Sequence, residues 1–211
     1  MVHMQPQEIK DILAFLEESK ALQSVERYGV SLRGAKNTVA EHSWRLGLMV
    51  LILCSKYQLK LDMSRALSLA LIHDMAEAKT GDIDAYAQMN GGPDALSKKA
   101  AAEDAAMQSM TKGLSFGSHL YDLWREYEDQ ATVEAKFIKA LDRIEGFLHI
   151  AEDGVSVYIP KEFHADYADK AVAAFDATAE HFPELKGLLD AIKEDLKAQF
   201  EKKGVAWISA D

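Results

Sequence analysis

The sequence holds a single cysteine, Cys54, so no disulfide can close within the chain and nothing in it calls for an oxidising compartment. Preceded by Met49-Val50-Leu51-Ile52-Leu53, that thiol is expected to be buried. Prolines number 4 and glycines 12 in 211 residues, which excludes collagen-like and proline-rich classes. Basic residues are scarce too: Lys and Arg total 24 against 34 Asp and Glu, a net charge of −10. A binder of phosphate backbones normally carries a basic face, so DNA and RNA polymers are disfavoured and not expected as partners. A small phosphorylated ligand in a local pocket stays compatible with this balance. Long apolar runs are also lacking. Leu46 to Cys54 falls far short of the ~20 residues that span a bilayer, and Met1 to Lys10 has no apolar core of a signal peptide. The expectation is a cytoplasmic protein with no membrane partner.

What is present is helical periodicity, in a chain that is 48% apolar. Ile9, Ile12, Leu13 and Leu16 recur at three- and four-residue steps, which predicts an amphipathic helix from about Pro6 to Leu22. Thr38-Val39-Ala40-Glu41 fits a capping box and opens a helix to about Lys56. Asp62 caps the next, which carries Ala66, Leu67, Ala70 and Leu71 and ends before Gly81. Asn90-Gly91-Gly92-Pro93 is the strongest break. Further helices are predicted over Asp94 to Thr111, Ser118 to Glu128 and Thr132 to about Glu152. Pro160 suits another helix start, Pro183 opens a turn, and the last helix ends at Gly204. Only Val155 to Ile159 alternates as a strand would. The reading is all-α, a single-domain helical bundle of seven to nine helices with C-terminal helices over 160–203 packed on the rest.

Among the 7 histidines, His3, His119, His164 and His181 read as surface residues and His149 as a structural core residue. His42 and His73 differ by their neighbours. His73-Asp74 lies in the apolar stretch Ala70 to Glu77, where a buried carboxylate needs a partner. A divalent cation accepts both imidazole nitrogen and carboxylate oxygen. Adjacent helical residues point ~100° apart, so the pair can share one ion only if it sits beside the helix. Further ligands must come from other helices, and His42 and Asp142 are the candidates. A buried hydrogen-bond network, or a salt bridge from Asp142 to Lys139 or Arg143, is the other reading of the same residues. Met49, Met63, Met75, Met107, Met110 and Trp124 read as packing residues.

Glu41-His42-Ser43, Ile72-His73-Asp74-Met75-Ala76-Glu77, Gly81-Asp82-Ile83 and Lys139-Ala140-Leu141-Asp142-Arg143, in that order, resemble the signature of the HD-domain metal phosphohydrolases. The branch most resembled is that of the HD-domain 5′-deoxynucleotidases, over a metal-site core of about residues 27–145. The resemblance implies the HD-type helical bundle and makes His42, His73, Asp74 and Asp142 ligands of one divalent ion (Mn, Co, Mg, Fe, Zn or Ni). It implies Glu77 as a catalytic acid or base, with Asp82 both catalytic and in the substrate pocket. Arg27 would meet the substrate phosphate, for which a guanidinium's paired donors are suited. Tyr28 stands where the bacterial deoxynucleotidases have tryptophan against the sugar, which relaxes discrimination against ribose. Glu103 and Glu128 fall where similar proteins carry acidic residues. On the residues alone, Glu77 could be a solvated helix-end carboxylate and Arg27 a loop cation paired with Glu26.

The function implied is metal-dependent hydrolysis of deoxynucleoside 5′-monophosphates to nucleoside and phosphate, with a nucleotide as the small-molecule partner and a homodimer as the assembly. The alternatives are an HD-type phosphohydrolase acting on a cyclic nucleotide or a nucleoside triphosphate, and a non-catalytic nucleotide-binding helical domain. A His/Asp set leaves positions open on an octahedral ion, whereas structural zinc sites are closed and commonly use cysteine, of which this chain has one.

Overall fold

The computed structural model describes residues 3–27, 37–83, 94–155, 173, 177, 180–204 and 207. Tyr28, the break at Asn90 to Pro93, Pro160, His164 and the 156–159 part of the alternating stretch lie outside the described residues. Seven helices of ten or more residues occur among those described: α1 Pro6–Ser19, α2 Val39–Tyr57, α3 Met63–Ile72, α5 Ala95–Thr111, α6 Gly117–Glu128, α7 Val133–Asp153 and α8 Lys186–Lys202. One further turn, α4, spans Glu77–Thr80, and short 3₁₀ turns cover Lys20–Gln23 and Pro183–Leu185. No strand forms among the described residues.

Local chemistry fixes several of these boundaries. The Thr38 side chain accepts from the Glu41 backbone N–H at 3.2 Å, and the Glu41 carboxylate accepts from the Thr38 N–H at 2.8 Å, so the capping box starts α2. Asp62 caps α3 and Thr132 caps α7 singly, each side chain accepting the backbone N–H three residues on. Gly117 begins α6 hard against the preceding turn. A Cβ there would stand 2.0 Å from the Thr111 carbonyl oxygen, so only glycine fits.

The predicted helix from Asp62 to Gly81 is corrected by the structure. Helix α3 stops at Ile72, and His73 to Ala76 form a tighter joint before α4. Here Met75 N–H bonds Ile72 O and Glu77 N–H bonds Asp74 O, both across three residues at 3.0 Å. That is the 3₁₀ pattern, which eclipses side chains differently from an α-helix. Gly81 ends the segment at φ +70°, where other residues are strained.

Helix α2 packs on α3 and α7, α3 also meets α6 and α7, and α8 lies against α7. Val39, Leu46, Val50, Ala66, Leu69, Phe137, Ile138, Leu141 and Ile144 are all fully buried between them. Trp124, Met75, Met107, Met110 and Cys54 join this core as expected. Met63 does not: as the first residue of α3 it is exposed. His149 is buried, as its structural reading requires, and His3, His119 and His181 are exposed.

Candidate metal centre and its acidic neighbours

Three segments meet at one point. His42 sits in the second turn of α2, His73 and Asp74 in the joint after α3, and Asp142 midway along α7. The two imidazoles are 0% and 2% exposed. His42 Nε2 lies 3.2 Å from His73 Nε2 and 3.2 Å from Asp142 Oδ1. Asp74 Oδ2 stands 2.9 Å from His73 Nε2 and 3.8 Å from His42 Nε2. The joint thus achieves what a regular helix makes awkward: two consecutive side chains aim at the same point.

The other ring nitrogens decide what that point attracts. His42 Nδ1 makes a short contact with Glu145 Oε2, and His73 Nδ1 lies 3.0 Å from the Ala70 carbonyl oxygen. Neither oxygen can donate, so each Nδ1 carries the proton and each Nε2 presents a lone pair. Two lone pairs and two carboxylate oxygens therefore converge with no donor of their own. Burial favours the neutral acid in both aspartates, yet His73 beside Asp74, and Lys139 and His42 beside Asp142, hold both carboxyls below their ordinary range. This donor set fits a divalent cation. His42, His73 and Asp142 each offer an atom within 4.8 Å of the others, and Asp74 Oδ2 stands beside the two imidazoles. With no cation between them the acceptors need a proton instead. Burial and the Arg27 charge oppose it, but the Asp142 and Glu145 hydrogen bonds raise His42 to about 9.

The salt-bridge reading of Asp142 is met only in part. Its Oδ2 accepts from the Tyr127 hydroxyl at 2.9 Å and faces Lys139 Nζ at 3.4 Å, which leaves Oδ1 for the histidines. Tyr127 in turn accepts from Lys139 at 2.9 Å and packs edge-on against His73. Such outer contacts fix a ligand's orientation.

Glu77 is 4% exposed and so is not a solvated helix-end carboxylate. Burial, then the charges of Asp74 and Asp82, push its pKa up to about 10, so it holds a proton at neutral pH. Asp82, half-buried just beyond Gly81, is among the charges it senses. Glu103 is also buried, 3.2 Å from Lys99, and burial raises both Glu103 and Glu128. Arg27 turns inward. The Arg27 N–H bonds Asn37 O and the Val39 N–H bonds Val25 O, a short antiparallel bridge beside the start of α2. From there its guanidinium donates to Glu145 Oε2 at 2.9 Å and lies 3.9 Å from Asp142 Oδ1.

Sequence reasoning missed Tyr127 and Glu145. Glu145 had a legible signal, being a carboxylate one turn beyond Asp142 on the face that carries Ile138 and Leu141. Tyr127 had none, since Arg125, Glu126, Glu128 and Asp129 flank it in the sequence.

Residues 19–185 match the family model described as "HD domain". A Xenopus laevis protein named 5′-deoxynucleotidase HDDC2 is 36% identical over 147 residues, covering 68% of this chain and 69% of that one. Its human counterpart, of the same name, is 35% identical over 68% of each. Among solved structures, a Magnetospirillum magnetotacticum protein named "predicted metal-dependent phosphohydrolase" superposes with a TM-score of 0.76 at 22% identity, covering 98% of this chain and 100% of that one. A Pyrococcus horikoshii protein gives 0.62 at 22% identity over 89% and 99%. Both likenesses concern the fold.

Proposed function

From the premise that the chain belongs to the HD domain family, we propose that it is a metal-dependent phosphohydrolase. As a single domain spanning residues 1–211, it would cleave deoxynucleoside 5′-monophosphates to nucleoside and phosphate. The observation that carries this reading is the convergence of two lone-pair-bearing imidazole nitrogens, 3.2 Å apart, with carboxylate oxygens of Asp74 and Asp142. His42, His73, Asp74 and Asp142 hold the ion. When bound, a divalent cation supplies Lewis acidity to a phosphate ester and lowers the pKa of water near it.

The chain's own groups divide the remaining work. Arg27 directs its guanidinium to the phosphate oxygens, where charge grows as the ester is attacked. Glu77, whose pKa burial raises above the ordinary carboxyl range, gives its proton to the departing 5′ oxygen, since an alkoxide is a poor leaving group. Asp82 adds its charge to the burial and the Asp74 charge that raise the Glu77 pKa, and orients substrate or water. The family resemblance assigns Tyr28 to the sugar, where a tyrosine, smaller than tryptophan, would admit ribose more readily.

The ion is one of manganese, cobalt, magnesium, iron, zinc or nickel. A homodimer is supported by the exposed side chains Trp44, Leu48, Leu51 and Ile52, which follow one another on α2 at helical spacing. No helix among the described residues is long and apolar enough to cross a membrane, and a cytoplasmic location belongs to the same proposal.

The test is phosphate release from deoxy- and ribonucleoside 5′-monophosphates, a cyclic nucleotide and a triphosphate, with chelator or with each of the six metals. Deoxynucleoside monophosphates should be cleaved only when metal is supplied. If monophosphates stay intact under all six metals, the assignment is wrong. Cleavage of the cyclic or triphosphate ester alone moves the substrate and keeps the metal site.

A further inference from the structure

One carboxylate beside this site, not itself a proposed ligand, gathers groups from separate parts of the chain. Glu145 is 0% exposed, and its Oε2 alone meets two donors from different parts of the chain. His42 Nδ1–H is one, and Arg27 is the other at 2.9 Å. Its Oε1 faces Arg45 Nε at 3.4 Å, and Arg45 spans back to Glu152 on α7 at 2.7 and 3.1 Å. A buried ion pair adds little net stability, because the cost of removing the charges from water offsets their attraction. Stability alone is therefore a poor reason for a carboxylate here, and orientation is a better one.

We propose that Glu145 is a positioning residue that holds His42 and Arg27 together, so that the cation-binding edge of one and the phosphate-binding fork of the other are set by a single carboxylate. By accepting the Nδ1 proton it fixes the tautomer in which His42 Nε2 is free to bind metal. By gripping one guanidinium nitrogen at 2.9 Å it fixes the plane of Arg27. Asp142 lies one turn earlier on α7, so the ligand and its positioning partner move as one rigid piece. The roles of His42 and Arg27 rest on the proposed function; the geometry around Glu145 does not.

The test is Glu145→Gln, which keeps shape and removes charge, compared with Glu152→Gln as an exposed control. Titration calorimetry with Mn²⁺ should show roughly tenfold to hundredfold weaker binding for E145Q, the range found when a metal ligand's supporting partner is lost. It should show none for E152Q. The KM for a deoxynucleoside monophosphate at saturating metal should rise roughly tenfold or more for E145Q, the effect of a charge-assisted contact on Arg27. Unchanged Mn²⁺ affinity in E145Q overturns the proposal. Should that variant fail to fold, long-range ¹H–¹⁵N spectra of the zinc-loaded native protein decide the matter. His42 protonated on Nδ1 supports the proposal, and His42 protonated on Nε2 defeats it. A native protein that binds Mn²⁺ yet hydrolyses no monophosphate would sink the functional reading alone, leaving the affinity comparison intact.

Discussion

Replacing His73 with alanine is expected to weaken divalent-cation binding by roughly a hundredfold or more, with hydrolysis lost at ordinary metal concentrations. If tight sites of four ligands release ~10–16 kcal/mol, one ligand accounts for ~3 kcal/mol, and each 1.4 kcal/mol is tenfold. His73 is the cleanest of the proposed ligands to remove, since its Nδ1 lies against the Ala70 carbonyl oxygen at 3.0 Å. Calorimetry with Mn²⁺ measures the loss, and circular dichroism checks that the helices remain. Affinity unchanged within a factor of three would remove His73 from the site. Native binding should itself depend on pH. His42 must give up a proton whose pKa is about 9, so cation uptake below that pH releases close to one proton and tightens as pH rises towards 9.

Glu77→Gln is expected to cut kcat by ~10²–10⁴, the usual worth of a general acid, while leaving Mn²⁺ affinity in place. A loss of cation along with turnover would mean that Glu77 is a ligand and not the acid. The same substitution has a second signature. The folded-state pKa of about 10 is above the ordinary value of 4.5, so the protonated group's stabilising contribution is full below about 4.5 and declines as pH rises towards 10. Glutamine mimics the protonated acid without needing the proton. In chelator at pH 8 the variant should melt several degrees or so above the native protein, and near pH 4 the two should coincide. A thermal shift equal at both pH values would show that Glu77 is ionised in the fold.

The parts of this molecule legible in its sequence are those decided by neighbours in the chain. Thr38 and Glu41 are three residues apart and announce the start of α2, and Asp62 and Thr132 do the same for α3 and α7. The joint at His73 was hidden because Ile72, Met75 and Ala76 are all buried, and apolar spacing does not distinguish an α turn from a tighter one. Residue type picked out His42, His73, Asp74 and Asp142 as candidate ligands, but only the resemblance to a family favoured a shared ion over a hydrogen-bond network, since no local spacing brings α2 to α7. Glu145 meets His42 across 103 positions and Arg27 across 118, and no local rule reaches that far. Arg27 illustrates the same point: adjacent Glu26 is the obvious partner on paper, and the fold turns the guanidinium to α7 instead.

The joint after α3 and the two long helices facing it are separate stretches of chain, with His42 and His73 alone 31 positions apart. An ion gripped by all of them is therefore also a removable staple, closing loops that the unfolded chain would otherwise leave open. A cell short of metal would then lose more than turnover. Without that staple the molecule would open more often, quality-control proteases would meet it more often, and scarcity of the ion would become scarcity of the protein.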